Sequence, residues 1–471
     1  MPLPPSAPPL SHLLPRLDGA VADDDATLAR FARDWGGLVH TRPSAVVRPA
    51  HTADVAAVLA FATDAGIAVA PRGTGHSAFG QSQAEAGIVL DLGGLRRVHP
   101  GQGTALVADG GATWRRVTDS ALARGLTPEV LPDSLDLSVG GTLSVGGLGG
   151  ASHRHGAQTD LVTELEVVTG AGEVVRCSAH EHAALFDAVR AGLGQCGVIT
   201  RATLALGRAR GRVRRRKLYY RDLEAFLADQ RTVVADERFD HVEGRALPDD
   251  SAASGGWSFR LDATTTFTLP TEANEDHEAA VRDGLSFDPE TAEVAECGYG
   301  EFCDRMAPGA AAQRESGDWY RPHPWLTVLL PDDAVAEVVE HTLADLPGLG
   351  ASGLVLLYPL RAERITTPLL RLPRGDREGT VWLFAVLDVA DPHDPVALAR
   401  RLEHHAEWYG RATAAGGTLY PSGALPHGTV DWTAHFGDAW ERFEAARHRF
   451  DPAGVLAPGQ RIFTAASRSR E

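Results

Sequence analysis

Hydrophobic positions along the chain change period repeatedly. Residues 52–66, TADVAAVLAFATDAG, carry apolar side chains at helical spacing and stop at a glycine, which predicts a helix. IAVAPRG (67–73) and GIVLDLGG (87–94) are short β-branched runs bounded by glycine and predict strands. ATWRRVTDSALARGL (112–126) reads as an amphipathic helix. LVTELEVVTGAGEVVRCS (161–178) reads as two strands joined by a TGAG hairpin turn. ALFDAVRAGLGQCGVITRATLAL (184–206) gives a helix, a glycine-rich break and a strand. Further on, VWLFAVLDVA (381–390) has the continuous apolar character of a buried strand. PVALARRLEHHAEWYGRATAAGG (395–417) opens with proline and closes past its end with glycine, as helices do. The last helical segment stops at Asp451-Pro452. Helices mixed with hairpins, without a regular βαβ period, predict an α+β fold and not a doubly wound nucleotide fold.

Composition adds bounds. A chain of 471 residues exceeds one compact core and calls for two or three domains. The formal charge of −17 repels phosphate backbones and argues against nucleic acid as a partner. The basic run RARGRVRRRK (208–217) is accordingly read as a solvated strand between domains. Four scattered cysteines exclude a disulfide framework, although one bridge between Cys297 and Cys303 stays open. The proline-broken start and the lack of long apolar runs predict a cytoplasmic protein with no membrane span, led by a partly disordered segment within residues 1–40.

Two glycine-rich loops carry the chemistry. APRGTGHSAFGQ (70–81) places His76 among three glycines, and LSVGGTLSVGGLGGASHRHG (137–156) supplies a second loop. Either alone is a common turn motif. The pair, with GLGQCG (192–197), favours a phosphate-bearing cofactor held by backbone N–H groups. No partner residues at metal-ligand spacing accompany His76, so no metal is expected.

Taken in order, RGTGHSAFGQ, LPDSLDLSVGGTLSVGGLGG, HRHGAQ, VVTGAGEVVRCS, LFDAVRAGLGQCGVITRA, PHPWL and FDPAGVLAPGQRIF resemble cytokinin dehydrogenases, of the vanillyl-alcohol oxidase and para-cresol methylhydroxylase class of flavoproteins. The resemblance runs from about residue 40 to the C-terminus and is patchy between about 205 and the last forty residues. It implies a two-part FAD-binding domain (1–208 and 424–471) and a cap domain with a large antiparallel sheet (209–423). It implies FAD bonded through His76, with Arg72, Gly73, Thr74, Gly75, Ser77 and Gln81 along the pyrophosphate and flavin edge. Ser138, Gly141, Thr142, Ser144, Leu148, Val198 and Gln460 fall on further cofactor positions. Asp133 matches the catalytic base, while Asp136 falls where the family has a tyrosine.

On the substrate side the chain departs from its relatives. SFRLDATTTF (258–267) offers Asp262 where a glutamate is expected to assist Asp133. The tyrosine beneath the flavin falls on Gly423, a cap asparagine on Thr327, and a serine near the C-terminus on Ala457. Trp325 is a candidate aromatic wall of the pocket. His323 and Trp432 are read as packing residues. The implied activity is oxidation of a C–N bond in a small secondary amine, with dioxygen or a quinone taking the electrons, in a monomer or homodimer. The alternatives are a covalent flavin oxidase of an alcohol, sugar or natural-product intermediate, and a redox-silent flavin-bound cyclase.

Overall fold

The computed structural model describes residues 9–249, 256–269, 272, 274–346, 348–349, 352–373 and 379–463. The proline-rich residues 1–8 of the lead lie outside them. Residues 9–40 hold a short helix Leu10–Leu13, a strand Ala20–Ala22 and a helix Asp25–Phe31 whose N-terminus is capped by Asp24. Residues 9–40 of the lead are therefore built structure.

Three principal sheets organise the described residues. A four-stranded sheet runs in the order Ala20–Ala22, Ala45–Arg48, Ile88–Asp91, Val69–Arg72, and its last three strands are parallel. The helix Thr52–Ala65 makes the crossover between two of them and ends at Gly66, whose φ of +63° is the left-handed cap that only glycine takes without strain. A five-stranded antiparallel sheet follows: Val98–Pro100, Ala105–Asp109, Val198–Ala205, Val162–Val168, Val174–Cys177. Its outer pair is the predicted TGAG hairpin.

The third sheet has eight antiparallel strands, all drawn from residues 212–419: Glu293–Gly298, Arg212–Tyr220, Trp257–Phe267, His241–Pro248, Leu354–Arg361, Thr380–Leu387, Trp325–Pro331, Thr418–Leu419. One face packs on the helices Leu223–Ala235, Val335–Asp345 and Pro395–Ala414, burying Phe226, Val339 and Trp408. The other face contributes Leu329, Leu356, Tyr358, Leu383 and Ala385 to the same core as the five-stranded sheet. Burial on both faces accounts for the unbroken apolar run at 381–387. The strand Arg212–Tyr220 carries the basic run. Arg214 bonds Glu278 and Glu296, Arg216 is buried on Glu278 at 2.6 Å, and Lys217 bonds Glu293, so much of its charge is matched within the chain. All four cysteines are free, which closes the option of a Cys297–Cys303 bridge.

Candidate active site

A cavity of about 500 Å³ lies where the glycine loops meet the inner face of the eight-stranded sheet. Gly73, Thr74, Gly75, His76, Ser77 and Gln81 line it from the first loop. Ser138, Gly141, Thr142, Ser144 and Leu148 line it from the second, with Val198 and Gln460 completing this side. The loops touch: a Cβ on Gly73 would stand 1.9 Å from Ser138 Oγ, and Gly75 takes φ +74°. Among the described residues, the N–H groups of Thr74, Gly75, His76 and Ser77 have no protein acceptor. Ser77 Oγ donates to Asp34 at 2.9 Å, and Gln81 accepts from Phe79 N and donates to Gly423 O, which fixes the loop's far end.

Arg72 departs from expectation. It is not part of the cavity wall; its guanidinium lies over the Phe31 ring, donates to Arg33 O at 2.9 Å and faces Asp34. The loop turns its backbone toward the cavity, and its arginine braces it from behind.

His76 faces the cavity from an aromatic cluster. Its ring stacks on Trp35 at 4.1 Å and 19°, and Trp35 stacks in turn on His323 at 3.6 Å and 22°. Trp319 and Trp325 close the edges of the cluster. Burial, followed by repulsion from His323, pushes the His76 pKa down to about 4, so the imidazole is neutral at physiological pH.

Asp133 reaches the cavity from the loop before the helix Val139–Val145. Its partner is Arg305, in the turn between the helices Tyr299–Cys303 and Ala307–Ser316. Arg305 Nη2 donates to Asp133 Oδ1 at 2.5 Å, to Glu243 Oε1 at 2.8 Å and to His241 Nε2 at 3.0 Å. Glu243 is 2 % exposed, in the middle of the strand His241–Pro248. Burial and then the Glu243 charge raise Asp133 to about 7, against the pull of Arg305. Burial also pushes Glu243 upward, but Arg305, His241 and the hydrogen bond with Asp133 outweigh it and hold Glu243 well below the usual carboxylate range. Below about pH 7 the pair therefore keeps one proton, on Asp133, with Glu243 ionised; above it Asp133 ionises as well. Tyr358, in the same wall, is raised well above its ordinary value by burial and by these two acids.

This arrangement corrects the pairing expected from sequence. Asp262 is outside the cavity wall, bonded to Arg260 at 2.8 Å and to Arg245 at 3.4 Å. It lies directly opposite Glu243 on the neighbouring strand, and Arg245 touches both. The expected cap carboxylate thus falls one strand away from the one that meets Asp133. The overlooked signal was the alternation H-V-E-G-R at 241–245, which points His241, Glu243 and Arg245 to one face of a strand.

Trp325 and Thr327 line the cavity as expected, and His323 joins them. Gly423 does not. A Cβ there would meet Trp325 O at 2.4 Å, and the ring on this wall belongs to Tyr420, whose hydroxyl accepts from Gly147 N at 3.1 Å. Asp136 also lines the cavity, salt-bridged to Arg115, which reaches Asp304 as well.

Two sequence families match the chain. Residues 43–178 match a FAD binding domain, and residues 254–463 match the FAD and cytokinin binding region of cytokinin dehydrogenase. Relatives include the uncharacterised oxidoreductase ORF5 in the fasciation locus of Rhodococcoides fascians, 40% identical over 95% of this chain and 99% of its own. Another is cytokinin dehydrogenase 4 of Oryza sativa subsp. japonica, 35% identical over 96% of this chain and 91% of its own. Among solved structures, the 6-hydroxy-D-nicotine oxidase of Arthrobacter nicotinovorans superposes with a TM-score of 0.69 at 22% identity, covering 93% of this chain and 96% of its own. The vanillyl-alcohol-oxidase-type flavoprotein of Myceliophthora thermophila gives 0.71 at 20% identity, covering 89% and 79%. At these identities the two structures establish the fold alone, that of the vanillyl-alcohol oxidase type.

Proposed function

This chain belongs to the cytokinin dehydrogenase family of FAD-dependent oxidoreductases, and on that premise we propose that it oxidises a C–N bond of a secondary amine, N6-isopentenyladenine being the prototype. The observation that carries the reading is Asp133, a cavity carboxylate whose pKa of about 7 suits a base working near neutrality.

The cavity fits FAD on its own features. Four unpaired N–H groups at Thr74–Ser77 are suited to pyrophosphate oxygens, and the contact between Gly73 and Ser138 leaves backbone, not side chains, facing the ligand. Neutral His76 has the nucleophilic form needed for attachment to the flavin 8α carbon. Bound FAD supplies a two-electron acceptor for the substrate's C–H hydride. The chain supplies the rest. Ionised Asp133 takes the amine N–H proton, so that the nitrogen lone pair can form C=N as the hydride departs. Arg305 holds the Asp133 carboxylate in place, and Glu243 raises its basicity. Trp325, Leu356, Leu383 and Tyr358 give an apolar wall against which a planar base can lie and from which water is excluded. Water then adds to the released imine, giving a primary amine and an aldehyde.

Anaerobic mixing of the yellow protein with N6-isopentenyladenine is the test. Bleaching of the flavin with release of one aldehyde per flavin is expected. Bleaching by an alcohol or sugar but by no amine would overturn the proposal.

A further inference from the structure

We propose that Trp35 is the positioning residue for covalent attachment at His76, holding the imidazole by its face so that a ring nitrogen is presented to the flavin 8α carbon. The inference rests on the reading of His76 as the attachment point and names the residue that prepares it.

Three observations carry it. First, the stack is two-sided: Trp35 lies between His76 and His323, so the indole is itself braced and cannot swing away from the imidazole. Second, the segment bearing Trp35 is fastened to the segment bearing His76 on both sides of that histidine. Trp35 N donates to Gly75 O at 2.8 Å and Gly36 N donates to Ser77 O at 3.0 Å. The contact is so close that a Cβ on Gly36 would stand 2.0 Å from Ala78 O. Third, indole nitrogens of this cluster are not used elsewhere: Trp35 Nε1 and Trp325 Nε1 are buried without a hydrogen-bond partner among the described residues. Polar rings are kept here at the cost of their hydrogen bonds, which is unusual for packing alone.

A neutral imidazole stacked by its face has the lone pair of its unprotonated nitrogen in the ring plane, directed along the indole and not into it. Stacking therefore removes rotation of the ring while leaving the nucleophilic nitrogen free. In the attachment step, the imidazole N–H and one 8α C–H bond break and a C–N bond forms. The two protons and two electrons released reduce the flavin ring. Dioxygen then takes them up, giving hydrogen peroxide and the oxidised, tethered flavin. Losing the orientation of one reactant in such a step slows it by about 10²-fold.

The test reads attachment and not turnover. Wild type, Trp35→Phe and Trp35→Leu chains are purified with their flavin. Total flavin is measured by absorbance of the native protein, and tethered flavin by fluorescence of the denatured band over time after FAD is supplied. Phe keeps a flat ring and should tether at close to the wild-type rate; Leu keeps apolar bulk without a face and should bind flavin but tether it about 10²-fold more slowly. Equal tethering in Leu and wild type overturns the proposal. Equal loss in Phe and Leu also does, because bulk and not stacking would then matter. A variant that holds no flavin at all counts against it too, since Trp35 is assigned to orient His76 and not to retain the cofactor. Should wild type itself release its flavin on denaturation, the reading of His76 fails, a result distinct from any of these.

Discussion

Replacing Glu243 with Gln removes one negative charge from beside Asp133 and keeps the side chain's size. A single Arg305 nitrogen bonds both carboxylates at 2.5 and 2.8 Å, so their oxygens are within about 5 Å of each other. Two unit charges at about 5 Å and an effective dielectric of about 20 interact by about 3 kcal/mol. The Asp133 side chain is 34% exposed toward the cavity, so solvent screening reduces this to about 1.5 kcal/mol. That corresponds to about one pH unit. Asp133 must be ionised to take a proton, so flavin reduction in wild type should rise with pH through a midpoint near 7. At pH 5 it should be about 10²-fold below its plateau. In Glu243→Gln the ionised form of Asp133 is no longer repelled, and the midpoint should fall to about 6. Anaerobic stopped-flow reduction by N6-isopentenyladenine between pH 5 and 9 reads both curves. A midpoint that stays near 7, or rises, would refute the claim that Glu243 sets the basicity of Asp133.

Other expectations follow from the same geometry. In His76→Ala, flavin fluorescence should disappear from the denatured band while some flavin remains bound to native protein. In Arg305→Met, buried Glu243 and half-buried Asp133 lose their shared cation, so thermal unfolding should show a loss of about 3 kcal/mol together with loss of flavin reduction; unchanged stability would contradict the bonding of Arg305 to both acids. Burial holds His76, His153, His323, His405 and His435 at about 4 and His241 at about 3. These pKa values are depressed, so between about pH 4 and 6.5 the unfolded chain binds more protons than the folded one. Their contribution is present above about pH 6.5 and is lost as pH falls through about 4. The melting temperature should drop steeply over that window, and a flat profile from pH 6.5 to 4 would contradict it.

The cofactor side was far more legible in the sequence than the substrate side, and the reason is physical. Backbone does the work in a glycine loop, and glycines at tight approaches such as Gly73 against Ser138 leave a short, ordered motif along the chain. The helices and strands of the FAD side likewise follow local signals, such as the cap at Gly66 and the TGAG hairpin. The substrate side is assembled across strands. Glu243 and Asp262 sit opposite each other in register on adjacent strands, each the one acid of its strand, and only the fold tells which one faces Arg305. Tyr420 and Gly423 differ by three residues in a loop with no periodic signal, so the ring was sought in the wrong place. Trp35 was hidden more deeply, in the N-terminal lead, where no motif marked it. Its importance comes from stacking on a histidine 41 positions away in the chain.

The most direct test of the account is the single-turnover rate of flavin reduction by N6-isopentenyladenine in Asp133→Asn, measured without oxygen at pH 8 beside wild type. Asparagine keeps the shape and loses the base, so reduction should slow by about 10²–10⁴-fold while flavin content is unchanged. Reduction at the wild-type rate would remove Asp133 from the chemistry and contradict the account.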